Sequence, residues 1–222
     1  MSGPLRDEPA ALPLLRSEVA FSGAVWDVRR DTFEMSGERL TREVVEHPGA
    51  VAVLALDEQD RVAMIRQYRH PVGMLEWELP AGLLDVAGED PLVAARRELA
   101  EETDLVADEW SLLLDYLSSP GGTSEALRVY LARGLGDVPP DERYEREGEE
   151  AHLEQRRVPL AEVREAVLEG RLVNATVVAA VLAACTLRDR GWAGLRPADA
   201  PWPAHPRHRD ESRPDEAVGP SS

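Results

Sequence analysis

The chain has 222 residues, enough for one ordinary domain with a sizeable core and terminal extensions. Its formal net charge of −17 argues against a protein that binds nucleic acid backbones through bulk electrostatics. An anionic substrate must therefore be met by local cations, either arginine side chains or a metal ion.

The single cysteine, Cys185, excludes an intrachain disulfide and is typical of a reducing cytoplasm. It ends the apolar run VVAAVLAAC, where a small buried packing residue is expected rather than a nucleophile. The N-terminus shows no secretory signal pattern, and no stretch reaches the roughly 20 apolar residues of a membrane span. We therefore expect a cytoplasmic protein without membrane or nucleic acid partners.

The first part of the chain divides into a tail and a group of strands. Residues 1–13 contain three prolines and mixed charges, which predicts a flexible tail. Residues 14–48 include EVAFSG, AVWDVRRDTFEM and TREVVEH, whose alternation predicts β-strands around the polar turn SGERL.

A main domain is then predicted over residues 49–194. It opens with the apolar run AVAVLAL and, after DEQD, with RVAMIRQYRH, and both runs are expected in a central sheet.

A helix is predicted from Pro91, because Asp90 is a good N-cap residue and proline suits the first helical position. An apolar stripe at helical spacing would face the core; it consists of Leu92, Ala95 and Leu99. Another face carries three glutamates, Glu98, Glu101 and Glu102.

The glutamates on one face repel each other, by roughly 0.2–0.5 kcal/mol per pair in an isolated helix. A solvated face paired with Arg96 and Arg97 is one interpretation of this pattern. The other is a site for a divalent cation, since clustered hard oxygen donors suit Mg²⁺ or Mn²⁺.

The pattern of residues before and within this helix favours the metal site. Gly82 is followed by Glu89, then by seven residues before Arg97-Glu98-Leu99, and then by the pair Glu101-Glu102. This pattern resembles the Nudix box of Nudix hydrolases. It departs from that box in two places: six residues rather than five separate Gly82 from Glu89, and Asp104 stands where the box has glycine. Asp tolerates a left-handed turn better than most residues, so we expect the helix end to be preserved.

Two further stretches resemble the ADP-ribose pyrophosphatase branch of this family. The first is RQYRHPVG, in which Arg69 matches an arginine that meets substrate phosphate; a surface ion pair is the alternative. The second is SPGGTSE, with Pro120 sixteen residues after Asp104. The resemblance places Glu125 beside the metal site, against the alternative of a solvated residue, and Gly122 would let a ligand approach the backbone closely.

Residues 135–152 are rich in charge, proline and glycine, and predict a long acidic loop. In the resembled branch this loop carries a catalytic glutamate shortly before a strand. Glu149 is our first choice for that residue and Glu150 the second, and no local rule separates them.

The rest of the chain predicts two helices and a tail. LAEVREAVLEG ends at Gly170, and NATVVAAVLAACTLRDR starts at an Asn174 cap. Their apolar faces predict an α/β fold, an α/β/α sandwich with a mixed sheet. Residues 195–222 are rich in proline and charge and are predicted to be a disordered tail.

The resemblance implies a homodimeric enzyme that hydrolyses ADP-ribose to AMP and ribose 5-phosphate with Mg²⁺ or Mn²⁺. Its predicted metal ligands are the Ala81 carbonyl, Glu98, Glu101 and Glu102, and Arg97 would hold this cluster. The predicted substrate contacts are Trp26, Arg42, Arg69, Gly82, Leu83, Gly122 and Glu125. Trp26 is expected either to stack on adenine or to serve in an interface or core.

Two alternatives remain at this point. A nucleotide-sugar or dinucleotide pyrophosphatase would share the box, since other side chains set substrate choice. A non-catalytic ADP-ribose-sensing regulator would carry a DNA-binding module, for which residues after 195 leave no room.

Overall fold

The structure is a computed structural model and describes residues 3–10, 12–146, 148 and 153–205. Glu149 and Glu150 lie outside the described residues. The strands are β1 (Leu14–Ser22), β2 (Asp27–Met35), β3 (Glu38–Val45), β4 (Ala50–Ala55), β5 (Arg61–Arg69), β6 (Met74–Glu78), β7 (Ala81–Leu83), β8 (Leu105–Leu117), β9 (Ala126–Asp137), β10 (Glu154–Pro159) and β11 (Arg196–Pro197). The helices are α1 (Pro91–Thr103), α2 (Leu160–Leu168) and α3 (Ala175–Arg188).

A five-stranded mixed sheet in the order β11-β8-β9-β4-β7 forms the centre of the fold. Strands β4 and β9 are parallel, and the other pairs are antiparallel. Helix α1 covers one face of this sheet, while α2 and α3 cover the other. The predicted α/β/α sandwich is thus confirmed. No helix among the described residues is long and apolar enough to cross a bilayer.

Each face of the central sheet has its own core. Between the sheet and α2/α3 lie fully buried side chains such as Leu54, Leu131 and Val181. Cys185 belongs to this core, where burial raises the pKa of its thiol, as expected for a packing residue rather than a nucleophile. On the other face, Leu99 of α1 packs with Tyr130 of β9.

Strand β5 differs from its predicted place in the central sheet. It forms a second sheet in the order β10-β5-β6 and meets the chain just after β4 at an isolated bridge between Leu56 and Val62. Strand β10 pairs with residues 61–66 of β5 and β6 with residues 65–69, so the hydrogen bonds of β5 are made mainly within this second sheet. The side chain of Asp57 accepts from the backbone of Gln59 and Arg61 and so fixes the turn between β4 and β5.

The predicted N-terminal strands form a three-stranded antiparallel sheet in the order β1-β2-β3. Its last strand joins the main domain: Val45 N donates to Gly122 O at 2.9 Å, and Ser124 N donates to Val45 O at 3.0 Å. These bonds hold the turn of the SPGGTSE stretch against the start of the main domain.

The chain after α3 corrects the predicted boundary of the disordered tail. Residues 195–205 pack on the central sheet: β11 pairs with β8, and Trp202 is only 6% exposed within the core beneath α1. The guanidinium of Arg128 lies 4.8 Å from the Trp202 ring and donates to the carbonyls of Ala200 and Pro201. This anchor joins residues more than seventy positions apart in the chain, so the proline-rich composition alone could not reveal it. Residues 206–222 lie outside the described part of the chain.

Candidate active site

Helix α1 begins and ends as its local sequence predicts. The Asp90 side chain accepts from Leu92 N at 2.8 Å, and Pro91 takes the first position. At the other end, Asp104 adopts the left-handed conformation with φ 57° and ψ 33°, and its N–H donates to Ala100 O. The aspartate that replaces the box glycine therefore performs the backbone role of that glycine.

The carboxylates of α1 are organised around Arg97. Its Nη1 donates to Glu98 Oε1 at 2.7 Å and to Glu101 Oε2 at 3.1 Å, while Nε and Nη2 donate to the two oxygens of Glu89. Hydrogen bonding to Glu89 is the largest influence raising the pKa of the Arg97 guanidinium, so it carries its charge throughout the physiological range. This geometry supports the predicted role of Arg97 as the residue that holds the cluster together.

Two close contacts hold α1 against β7. A Cβ added to Gly82 would lie 1.9 Å from Glu98 Oε1, so only glycine leaves room for that carboxylate. Glu102 is 7% exposed, and its Oε2 accepts from Ala81 N at 2.9 Å. The strand that carries Ala81 and Gly82 is therefore in direct contact with two of the three predicted metal-binding glutamates.

The chemistry of these oxygen donors fits a hard divalent cation. Within the described residues, however, no group of three His, Cys, Asp or Glu side chains is already arranged to hold a metal ion. Arg97 engages Glu98 and Glu101, and the Ala81 N–H engages Glu102. In this arrangement the guanidinium supplies the positive charge that offsets the repulsion between the carboxylates.

A cavity of about 440 Å³ lies against β7, within the size range of small-molecule sites. It lies between β7, the β5–β6 hairpin, the start of α3 and the segments that carry Trp26 and His47. Its wall includes five predicted site residues besides Ala81, namely Trp26, Arg69, Gly82, Leu83 and Glu125. The wall also contains side chains that sequence reasoning did not select: His47, Glu78, Tyr116, Ser118, Asn174 and Thr176.

One side of the cavity is built around His47. Its ring stacks on Trp26 with 4.5 Å between ring centroids, and its Nε2 lies 3.1 Å from Glu125 Oε1. Gly49 N donates to Nδ1 at 3.0 Å, which assigns the ring proton of neutral His47 to Nε2, facing Glu125. Hydrogen bonds from His47 and Ser118 lower the pKa of the Glu125 carboxyl, so this wall carries a negative charge.

Arg69 is held on another side of the cavity by a carboxylate. Its Nε and Nη2 donate to the two oxygens of Glu78 at 2.8 and 2.7 Å, and hydrogen bonding to Glu78 raises the pKa of Arg69. Glu78 is 4% exposed, whereas the Arg69 side chain is 45% exposed. Arg69 therefore forms the ion pair of the second alternative and also lines the cavity. Its contact with a phosphate stays a prediction.

Two predicted substrate contacts lie away from this wall. Arg42 lies exposed on β3, where its Nη1 donates to Thr41 O. Gly122 uses its carbonyl to bind Val45 and so belongs to the turn that flanks the cavity. Arg42 is not among the residues that line the cavity, whereas Trp26 and His47, at the ends of the N-terminal strands, are.

The polar residues that sequence reasoning missed come from distant elements. Tyr116 of β8 and Thr176 of α3 share a hydrogen bond of 2.6 Å between their hydroxyls. Asn174 caps α3, as predicted, and also donates to Glu76 Oε2 at 3.1 Å. The Asn174 cap was the one feature of these residues visible in the sequence, because it marks where α3 begins. Only the packing of the folded chain shows that this end of α3 borders the cavity.

Known proteins share both the sequence pattern and the fold. The family model described as NUDIX domain matches residues 46–181. An ADP-ribose pyrophosphatase of Mycobacterium tuberculosis is 46% identical over 189 residues, which cover 85% of this chain and 89% of that protein. A GDP-mannose pyrophosphatase of Cronobacter sakazakii is 31% identical over 165 residues, covering 68% and 82%. A crystal structure of an ADP compounds hydrolase superposes with a TM-score of 0.68, covering 85% of this chain and all of that one, and its 24% identity supports the fold alone. The chain therefore belongs to the Nudix hydrolase family.

Proposed function

We propose that this protein hydrolyses the pyrophosphate bond of ADP-ribose and releases AMP and ribose 5-phosphate, with Mg²⁺ or Mn²⁺ as the metal. The observation that carries the proposal is the position of the α1 carboxylates. Two of them, Glu98 and Glu102, contact β7 directly, and β7 lines a cavity that also contains an aromatic ring and an arginine. Similarity to the mycobacterial ADP-ribose pyrophosphatase supports the choice of substrate.

The reaction requires neutralisation of two phosphoryl groups, a positioned water and a base. Bound divalent ions, held by Glu98, Glu101, Glu102 and the Ala81 carbonyl, would supply Lewis acidity and lower the pKa of a water. Arg97 spaces the carboxylates, and Arg69 offers a guanidinium to a phosphate oxygen at the cavity wall.

The cavity wall also suits the nucleoside part of the substrate. Trp26 offers an aromatic surface for the adenine, and its stacking on His47 fixes the ring. The ionised Glu125 accepts hydrogen bonds and repels phosphate, so it favours hydroxyl groups nearby. Leu83 adds apolar surface beside Gly82.

A substrate panel with Mg²⁺ and Mn²⁺ tests the proposed function. It compares kcat/KM for ADP-ribose, NADH, a diadenosine polyphosphate, GDP-mannose and oxidised dGTP, and ADP-ribose is expected to give the highest value. A preference for GDP-mannose would favour the nucleotide-sugar alternative, which the Cronobacter relative supports. Binding of ADP-ribose without turnover of any compound would indicate the sensing regulator.

Glu149 is the proposed base, and Glu150 is its matched control. Glu149→Gln should lower kcat by about a hundredfold or more, because general base catalysis contributes roughly 10²–10⁴-fold. The affinity for Mg²⁺, measured by titration calorimetry, should change little. If Glu150→Gln is the damaging substitution and Glu149→Gln is not, the base is the second glutamate.

We also propose a homodimer that works in the cytoplasm. The N-terminal sheet leaves large apolar side chains in solvent, with Val19 47% and Phe21 62% exposed, and a second copy would cover such residues. Sedimentation velocity of the full chain should give twice the monomer mass of 24.5 kDa. A monomer at micromolar concentration would contradict this assembly.

A further inference from the structure

Asp104 contributes more than a left-handed helix end. Its carbonyl accepts from Val138 N at 2.9 Å. Strand β9 continues to Asp137, so the acidic loop begins at Val138 rather than at the predicted residue 135. The carboxylate Oδ1 of Asp104 lies 2.8 Å from Arg146 Nη2, within the same loop. One residue at the end of α1 therefore contacts the acidic loop at two points that are eight positions apart in the chain.

Arg146 makes a second contact with the last turn of α1. Its Nε donates to Glu101 O at 2.6 Å, and Gln155 Nε2, from the start of β10, donates to Glu102 O at 2.8 Å. The last carbonyls of a helix have no partners within the helix and carry partial negative charge, so they suit a guanidinium. The described chain before and after residues 149–152 is thus tied to the same turn, which carries Glu101 and Glu102.

The pair is shielded from water. Both side chains are 19% exposed, in contrast to the surface pair of Arg133 and Glu109, which are 35% and 64% exposed. Asp104 Oδ1 and Arg146 Nη2 are buried atoms that make no well-directed hydrogen bond to the described residues, so their contact is an attraction between charges. Removing either partner leaves the other charge poorly solvated, which costs more than the loss of an exposed pair.

Helix termination alone does not explain an aspartate at this position. Glycine adopts φ 57° without strain, and the bonds from Asp104 N to Ala100 O and from Val138 N to Asp104 O need no side chain. What the carboxylate adds is the contact with Arg146.

We propose that Asp104 and Arg146 form a positioning pair, which holds residues 138–146 of the acidic loop on the last turn of α1, the turn that carries Glu101 and Glu102. Its catalytic consequence rests on the proposed function, in which Glu149 is the base. Glu149 follows Arg146 by three positions, and three extended residues span at most about 11 Å. Arg146 is therefore the described anchor nearest to the proposed base before it in the chain.

Kinetics and hydrogen exchange of the full-length protein test the pair. Asp104→Gly, Asp104→Asn and Arg146→Met should each lower kcat about tenfold to a hundredfold, as expected when a catalytic group is misplaced by about 1 Å. KM for ADP-ribose should stay within about twofold, because neither residue lines the cavity. The double variant Asp104→Asn/Arg146→Met should lose no more than the worse single variant, and Arg146→Lys should recover part of kcat.

Hydrogen–deuterium exchange of the peptide spanning residues 138–146 should accelerate in the same variants without any substrate present. Glu109→Gln, in the exposed pair with Arg133, is the matched control and should change neither measurement. Wild-type kcat together with unchanged exchange in Asp104→Gly, or additive losses in the double variant, would overturn the pairing. Because exchange does not depend on turnover, inactive wild-type protein would refute the proposed function and leave the test of anchoring intact. If one variant fails to fold, as judged by circular dichroism, the partner's single variant supplies the same comparison.

Discussion

Glu102→Gln is expected to reduce kcat by at least about a hundredfold with little change in fold, since metal-bound groups supply several kcal/mol of transition-state stabilisation. Glu102 Oε2 accepts from Ala81 N, and the amide oxygen of glutamine can keep that bond. The substitution therefore removes the charge of a predicted metal ligand while it preserves the contact between α1 and β7. Its effect reports on catalysis rather than on packing.

The measurement is kcat over a titration of Mg²⁺, combined with a thermal melt. Glu109→Gln again serves as the control, since it removes one negative charge from an exposed position on β8. Turnover near the wild-type level in excess Mg²⁺ would contradict the assignment of Glu102 as a ligand. A melting temperature that falls sharply would instead show that the carboxylate is needed for packing.

Gly82→Ala is the second substitution for which we expect a large effect. The added Cβ would lie 1.9 Å from Glu98 Oε1 and 2.1 Å from its Cδ, far inside van der Waals contact. The Glu98 side chain has to rotate away, and this rotation breaks its bond of 2.7 Å with Arg97 Nη1. We expect kcat to fall about tenfold to a hundredfold as the carboxylate moves, and the free energy of unfolding to fall by about 1–3 kcal/mol.

A double variant separates the clash with Glu98 from other effects of alanine at position 82. In Gly82→Ala/Glu98→Ala the colliding carboxylate is absent, so the thermal stability should exceed that of Gly82→Ala alone, while activity stays low. Equal melting temperatures for the two variants would show that Glu98 is not what the new methyl group meets.

Local rules of sequence predicted the element that carries the proposed chemistry. Asp90 and Pro91 start α1 as expected, Asp104 ends it in the left-handed conformation, and the spacing of Glu98, Glu101 and Glu102 places them on related faces. The apolar run at residues 50–56 likewise indicated a buried strand, because continuous apolar character requires cover on both faces. In each case, the signal and the structure lie within a few residues of each other.

The tertiary structure decided what meets α1. The spacing of the glutamates in the sequence places Glu98 on a helix face, but only the packing of α1 on β7 brings it against Gly82. The amino-acid composition of residues 195–205 predicts a tail, yet the contact between Arg128 and Trp202 anchors this segment. The sequence by itself thus determined the family resemblance, the helix and its set of carboxylates. Only the folded chain revealed the His47 wall of the cavity and the pairing of Asp104 with Arg146, because those contacts join segments that no local pattern relates.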